Sequence, residues 1–103
     1  MPMQSLLDMI ADPTRRRILD MLRGGDRAAG EIVAAMAIGQ PGVSKHLRLL
    51  REAGLVEARG DGQRRIYRLT PAPLAALDDW LEPYRAFWNA RLDALGEHLD
   101  REQ

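Results

Sequence analysis

A chain of 103 residues with no cysteine and no net charge has room for one domain, and it excludes internal disulfides, thiolate metal ligands and thiol redox switches. No apolar run approaches the ~20 residues that span a bilayer, and the first ten residues lack the features of a secretory leader, so we expect a cytoplasmic protein. The charge is unevenly distributed: residues 41–70 carry seven basic and three acidic side chains, whereas residues 71–103 carry three and seven. This asymmetry suggests that one face meets a polyanion, although solvated surface charge would give the same count.

Three short helices are predicted in the first third of the chain. The first covers residues 4–10 and must lean on the rest of the protein, because so short a helix is unstable alone. Asp12 followed by Pro13 is typical of a helix start, and the second helix that begins there ends at Gly24. The third helix covers about residues 28–36. Apolar side chains recur at helical spacing along all three: Leu6, Leu7, Ile10, Ile18, Leu19, Leu22, Ile32, Val33 and Met36.

A fourth helix is predicted over about residues 40–53, after a tight turn that contains Gly39. Two short helices joined in this way form a helix-turn-helix pattern. One side of the fourth helix is apolar and the other carries hydrogen-bond donors; the two sets are Val43, Leu47, Leu50 and Ala53, and Ser44, Lys45, Arg48 and Arg51. Gly42 is unfavourable inside a helix, which indicates either a close approach to that backbone or a tolerant first turn.

Two strands are predicted next, over residues 56–59 and 64–69, around the sequence Gly60-Asp61-Gly62. An Asp-Gly pair between strand-like runs is typical of a β-hairpin. Tyr67 alternates with Ile66, so one face should pack on the helices and the other should meet solvent. Three arginines lie at the predicted tip: Arg59, Arg64 and Arg65.

A long helical arm is predicted over about residues 72–101. The whole chain, residues 1–103, is predicted to form a single domain. The apolar residues of the arm repeat at steps of three and four, from Leu74 through Leu77, Leu81, Tyr84 and Trp88 towards Leu99. Pro83 predicts a kink or a restart within this arm.

The order of elements, four helices, a hairpin and a helix, is that of a winged helix-turn-helix, a mainly α fold with a small β-hairpin. A helix fits the major groove of DNA and an arginine-rich hairpin tip reaches nearby phosphates. The candidate DNA contacts are Gln40, Ser44, Lys45, His46 and Arg48 on the fourth helix, Arg59, Arg64 and Arg65 on the wing, and Thr14, Arg15 and Arg16 at the start of the second helix. A helical domain that binds another protein remains the alternative.

The stretches DPTRRRILDML and GQPGVSKHLRLLREAGLVEARGDGQRRIYRLT resemble the ArsR/SmtB family of bacterial winged-helix repressors. The resemblance implies a homodimer that represses transcription from an inverted-repeat operator, often that of its own operon. It also implies dimerisation through the first and last helices. The apolar residues available for this contact are Leu6, Leu7, Ile10, Trp80, Leu81, Tyr84, Phe87, Trp88 and Leu95.

The metal ligands of the family are not evident in this chain. Some metal-sensing members carry a cysteine pair near the position of Gly30, and others carry an aspartate and histidines on the last helix. This chain has no cysteine, and His98 is the one histidine on its last helix. We therefore expect no metal and no cofactor, with Glu97, His98 and Asp100 as a solvated helix end. A metal site across the dimer and a small apolar ligand near Trp80 and Trp88 remain alternatives. The sequence also lacks a glycine-rich phosphate loop and a nucleophile elbow, so an enzyme is not expected.

Overall fold

The computed structural model describes residues 3–101, with side chains as far as residue 99. The predicted domain also includes residues 1, 2, 102 and 103, which lie outside the described residues, as does the side chain of Asp100. The described part is mainly helical, with one small antiparallel sheet. Its elements are α1 (Met3–Ala11), α2 (Pro13–Arg23), β1 (Arg27–Ala28), α3 (Ala29–Ala35), α4 (Gly39–Glu52), β2 (Val56–Asp61), β3 (Arg64–Leu69) and α5 (Pro71–Arg101). This winged-helix arrangement confirms the predicted fold class.

Local signals place the ends of α2 as the sequence predicted. The carboxylate of Asp12 accepts hydrogen bonds from the backbone N–H groups of Thr14 at 2.8 Å and Arg15 at 3.1 Å. These donors have no partner within the helix, so the cap stabilises its first turn. Gly24 occupies the C-terminal cap.

Glycines with positive φ bound α4 at both ends. Gly39 has φ +78° at its first position and Gly54 has φ +77° after its last turn. Both values lie in the left-handed region that side chains with a Cβ rarely adopt. The tight α3–α4 connection and the abrupt end of α4 therefore depend on glycine.

The sheet has three strands in the order β1-β3-β2, and the two-strand prediction was incomplete. β1 contributes only two residues, too few to show an alternating pattern, and Ala28 pairs with Ile66. β3 has the predicted bounds, whereas β2 is two residues longer than predicted, because Asp61 pairs with Arg64 and the loop is Gly62-Gln63. Gly62 has φ +64°, as the first position of a type II′ turn requires.

The prediction that one face of this strand packs on the helices and the other meets solvent does not hold at Ile66 and Tyr67: both are buried, although they point to opposite faces of β3. β3 is the central strand, and Ile66 lies between Ala28 and Arg59 on the neighbouring strands. Cross-strand neighbours on both sides therefore cover a side chain that a two-strand hairpin would expose.

One apolar core joins the helices to the base of the wing. It contains one or more residues from α1, α2, α3, α4, the α4–β2 connection and the sheet: Leu6, Ile18, Leu19, Leu22, Ile32, Val43, Leu47, Leu50, Leu55, Val56 and Tyr67. The predicted inward residues of α2 and the first three of α4 are confirmed, whereas Ala53 is only partly buried.

α5 is continuous through Pro83 and does not restart there. Leu74 and Leu77 pack against the core, but the large apolar residues from Tyr84 onward are exposed. With 31 residues the helix is about 46 Å long, which accounts for the elongated 64 × 29 × 21 Å dimensions. Every helix within residues 3–101 is too short or too polar to cross a membrane.

Candidate nucleic-acid interface

α4 separates its buried and donor-bearing sides as the sequence pattern predicted. Val43, Leu47 and Leu50 are fully or almost fully buried. The predicted contact residues are exposed on the remaining surface of the helix, with the exception of His46: Gln40, Ser44, Lys45 and Arg48. Several donors and acceptors on one accessible helix surface suit contact with base edges and phosphates.

His46 faces α2 and is only partly exposed. Its Nδ1 lies 3.4 Å from Nη1 of Arg15. Arginine can only donate, so a hydrogen bond here requires a lone pair on Nδ1 and leaves the proton on Nε2. His46 therefore contacts α2 through one ring nitrogen, and only Nε2 is left for another partner.

Arg15 and Arg16 donate to the end of α1, in the region where the sequence predicted phosphate contacts. Arg15 donates to the carbonyl oxygens of Asp8 at 3.0 Å and Met9 at 2.7 Å. Arg16 donates to those of Ile10 at 2.8 Å and Ala11 at 3.0 Å. These four carbonyls are the last of α1 and have no acceptor role within the helix, so the two side chains complete its C-terminus.

The arginines at the start of α2 differ in how much surface they retain. The side chain of Arg15 is only 14% exposed, which leaves little of its guanidinium for a phosphate. Arg16 remains exposed, and Thr14 is partly exposed. Arg17 donates to the carbonyl of Ala35 at 3.1 Å and so holds the end of α3 against α2.

The wing arginines lie on the surface and pair with acidic residues from the segment around β1. Nη1 of Arg59 lies 3.2 Å from Oδ2 of Asp26, and Nη2 of Arg64 lies 3.1 Å from Oε1 of Glu31. Arg65 has its guanidinium 5.9 Å from the ring centroid of Tyr67. Exposed pairs of this kind are weak, so the wing arginines can exchange a carboxylate for a phosphate at small cost.

Asp26 and Glu31 were not identified from the sequence. Each lies 33 residues from its arginine, a separation that carries no local pattern. Glu31 also accepts a hydrogen bond from the backbone N–H of Ala28 at 3.0 Å, and this bond helps to start α3.

The carboxyl group of Asp12 titrates below its usual range. The backbone hydrogen bond from Arg15 is the main cause that lowers the pKa of Asp12, opposed by desolvation and reinforced by the bond from Thr14. Hydrogen bonds to a carboxylate favour its charged form. Asp12 therefore remains charged at the junction of α1 and α2, near His46 of α4.

The predicted dimer contacts range from buried to about half exposed. Leu6 is 2% exposed and belongs to the core of the protomer, while Leu7 and Ile10 are partly exposed beside it. On α5 Leu81 is partly exposed. The other predicted residues of α5 are exposed by about half, as are Leu92 and Leu99: Trp80, Tyr84, Phe87, Trp88 and Leu95.

No group of three or more His, Asp or Glu side chains within the described part of the chain is arranged to hold a metal ion. Glu97 and His98 each have a partner, so they form no open pair at the end of α5.

Known proteins share both the sequence and this geometry. The family described as bacterial regulatory protein, arsR family, matches residues 12–58. The HTH-type transcriptional regulator Rv2034 of Mycobacterium tuberculosis is 40% identical over 93 residues, 90% of this chain and 84% of the relative. The transcriptional repressor SdpR of Bacillus subtilis is 38% identical over 79 residues, 77% of this chain and 88% of the relative.

A solved structure agrees with these relatives. The ArsR-like transcriptional regulator from Rhodococcus sp. RHA1 superposes with a TM-score of 0.70 at 32% identity, covering 89% of this chain and 87% of that one. These proteins are transcriptional regulators and not enzymes. They confirm the resemblance to the ArsR/SmtB family and the expectation that the chain is not an enzyme. The chain belongs to the ArsR family of bacterial transcriptional regulators.

Proposed function

We propose that the protein is a homodimeric repressor that binds an inverted-repeat operator in double-stranded DNA and needs no metal for binding. The observation that carries the proposal is the surface of α4, where Ser44, Lys45 and Arg48 are exposed while Val43 and Leu47 anchor the helix in the core. A rigidly packed helix with exposed donors is what entry into a major groove requires. The relatives described as repressors support the same direction of regulation.

The wing supplies the second contact. Arg59, Arg64 and Arg65 are exposed on the hairpin that follows α4, and the segment of residues 41–70 holds the excess of positive charge. Phosphate contacts add affinity without sequence preference and make binding depend on salt. In this proposal α4 reads the bases and the wing fixes the protein on the backbone.

The partner in the dimer is a second copy that covers the exposed face of α5. Leu77 packs on the core of its own protomer, and it begins an apolar stripe that continues along the exposed part of the helix. Apolar residues of the stripe recur every eleven residues, in three sets: Leu77, Trp88 and Leu99; Leu81 and Leu92; and Tyr84 and Leu95. An eleven-residue repeat is close to the natural helical period, so the stripe stays on one side of a nearly straight helix. Exposed apolar patches of this length mark interaction sites.

Two protomers joined through α5, with α1 beside it, would present two copies of α4 to one face of the duplex. Recognition helices that read successive major grooves lie about 34 Å apart, one turn of DNA. A two-fold dimer then reads an inverted repeat. Occupancy of a promoter by the dimer would block RNA polymerase.

The absence of cysteine from the whole sequence supports binding without a metal. Closed sites for zinc require about four nitrogen, sulfur or oxygen donors. The surroundings of α3 and α5 in residues 3–99 offer no such set from one protomer. The signal that releases the DNA is therefore not assigned to a metal.

The experiment that tests the proposal begins with selection of duplexes from a random library by the purified protein. Fluorescence anisotropy then measures binding to the enriched duplex and to a scrambled duplex of the same composition, with zinc and with a chelator. We expect an enriched inverted repeat, binding that is tighter than to the scrambled duplex by about 10³-fold or more, and no effect of zinc. Equal, weak binding to both duplexes would contradict the proposal and favour a protein-interaction module.

Two variants of α4 form a matched pair for this titration. Lys45→Ala should cost about 1–3 kcal/mol on the enriched duplex if Lys45 contacts a base. Arg51→Ala removes the same charge from the C-terminal end of the same helix, where Arg51 is also exposed, and should cost much less. Equal losses for the two variants would show that α4 acts only through its charge.

A further inference from the structure

Ile38 is an exposed apolar side chain that neither the core nor the dimer face explains. Among the described residues, the large hydrophobic side chains that are about half exposed or more lie on α5, with the exception of Ile38 at 45%. Ile38 directly precedes α4, the helix that carries the proposed base contacts. Its exposure leaves the isoleucine side chain accessible to whatever the start of α4 contacts.

The side chain of Ile38 lies against the first turn of α4, over Gly42. A Cβ built on Gly42 would meet Cδ1 of Ile38 at 2.9 Å and its Cγ1 at 3.1 Å. The sequence indicated a close approach to the backbone at Gly42 or a tolerant first turn, and the structure shows that the approaching group is a side chain of the protein itself. Gly42 thus provides a seat that holds Ile38 in place.

This seat lies on the exposed side of α4. Gly42 is one turn from Ile38, and Lys45 is three residues further, so the three positions form a row along the helix. The buried side of α4 is formed by Val43, Leu47 and Leu50, and Ile38 is not part of the core cluster. Ile38 and Lys45 therefore face the same surroundings, at the end of the helix that enters the groove.

We propose that Ile38 is a specificity-determining residue that contacts the 5-methyl group of a thymine in the major groove, held there by its seat on Gly42. The thymine methyl is the apolar feature of a major-groove edge, and apolar side chains contact it. Gln40, Ser44, Lys45 and Arg48 offer hydrogen bonds only, whereas Ile38 contributes the apolar contact that they lack. The inference rests on the proposed DNA binding and adds a base preference to it.

The test replaces thymine by uracil, which removes the methyl group and keeps every Watson–Crick and groove hydrogen bond. Anisotropy titrations compare the enriched duplex in its thymine and uracil forms for the wild type, Ile38→Ala and Gly42→Ala. One buried methyl corresponds to about fourfold in affinity. We expect the wild type to lose about fourfold on the uracil duplex for each half-site, and Ile38→Ala to bind both forms equally.

Gly42→Ala tests the seat separately from the side chain. Alanine is a better helix former than glycine by up to ~1 kcal/mol, and the group it displaces is the flexible end of Ile38, so the fold should be retained. The ratio of the variant's affinity for the thymine duplex to its affinity for the uracil duplex should be smaller than that of the wild type. Thermal unfolding followed by circular dichroism verifies that both variants are folded.

Three results would overturn the inference. The first is a wild type that binds thymine and uracil duplexes equally. The second is an Ile38→Ala variant that keeps the wild-type ratio, which would assign the methyl contact to other residues and leave Ile38 as a local packing group. The third, equal binding of enriched and scrambled thymine duplexes, would overturn the proposed function as well.

Discussion

Nε of Arg15 donates to the carbonyl oxygen of Met9 at 2.7 Å, so the second helix completes the end of the first. The same guanidinium donates to the carbonyl of Asp8 and lies 3.4 Å from Nδ1 of His46 on α4. One largely buried side chain thus connects three helices. Because α1 is short, its position depends on this contact and on the packing of Leu6.

Arg15→Ala should lower the free energy of unfolding by about 2–3 kcal/mol, because it leaves the carbonyl of Met9 without a charged donor in a partly buried site and removes the exposed bond to Asp8 as well. Arg16→Ala is the matched control: it also removes two hydrogen bonds to α1, but from an exposed side chain. The control should cost under about 1 kcal/mol. Urea unfolding at one fixed protein concentration measures both. Equal costs for the two variants would contradict the special role of Arg15.

These arginines show where sequence reasoning ends. The Asp12-Pro13 start signal is local and could be predicted, because a helix cap involves residues two and three positions away. The direction of the Arg15 side chain could not, because it depends on how α2 turns back against α1. The pattern of three successive arginines is equally consistent with phosphate contacts and with helix capping.

The same division between local and long-range signals holds for the wing and α4. The apolar side of α4 could be predicted because its apolar residues recur at helical spacing. The hairpin could be predicted because an Asp-Gly pair that includes Gly62 separates two strand-like runs. β1 was missed because two residues show no period, and the burial of Ile66 followed from that strand. The contact between Ile38 and Gly42 left only one sign in the sequence, a glycine in a helix.

Asp12 makes stability depend on pH at the acidic end. The pKa of Asp12 lies below its ordinary value in the folded state, mainly because of the backbone hydrogen bond from Arg15, so its contribution to stability is fully present above the unfolded pKa. The contribution is lost as the pH falls through the lower folded value. Asp12→Asn keeps a capping oxygen and removes the titration. We therefore expect the wild type to exceed Asp12→Asn in stability at neutral pH, with a difference that shrinks below about pH 4.

Urea unfolding of both proteins between pH 7 and pH 2 measures this difference. Asp12→Ala provides the second comparison, because it removes the cap altogether and should lower the free energy of unfolding by about 0.5–2 kcal/mol at neutral pH. A wild-type to Asp12→Asn difference that grows as the pH falls would contradict the lowered pKa. Glu57 is exposed on the wing, and Glu57→Gln controls for a general effect of removing an acid.

Asp26 is expected to hold the wing arginine Arg59 at the cost of some DNA affinity. Asp26→Asn frees the guanidinium and removes a negative charge close to where the phosphates would lie. We expect two- to fivefold tighter binding to specific and scrambled duplexes alike, on the order of 0.5–1 kcal/mol, with little change in folding stability. Anisotropy at two or more salt concentrations measures the effect.

Arg59→Ala should act in the opposite direction on the same duplexes. It should weaken binding to all sequences and reduce the slope of log K against log salt by about 0.9 for each lost phosphate contact. Asp79→Asn removes a charge from the exposed surface of α5, away from the wing, and serves as the control. Asp26→Asn binding that is weaker than the wild type would show that the Arg59–Asp26 pair positions the wing for DNA instead of competing with it.

The exposed stripe of α5 predicts that Trp88→Glu separates the dimer while each protomer stays folded. Trp88 is 48% exposed in the single chain, far along the helix from Leu77 and the core, so the protomer does not need it. In the proposed dimer a glutamate at this place would be buried against apolar side chains, which costs about 2 kcal/mol or more. The dissociation constant should then rise roughly thirtyfold or more.

Asn89→Glu introduces the same charge at the adjacent residue, off the stripe, and should leave the dimer intact. Sedimentation equilibrium of the wild type and the two variants measures the constants, and far-UV circular dichroism checks the helix content. DNA binding should follow the dimer: Trp88→Glu should lose most of its affinity for the inverted repeat, because one protomer reads only half of it. A monomeric wild type, or equal effects of the two glutamates, would assign the apolar face of α5 to a different partner.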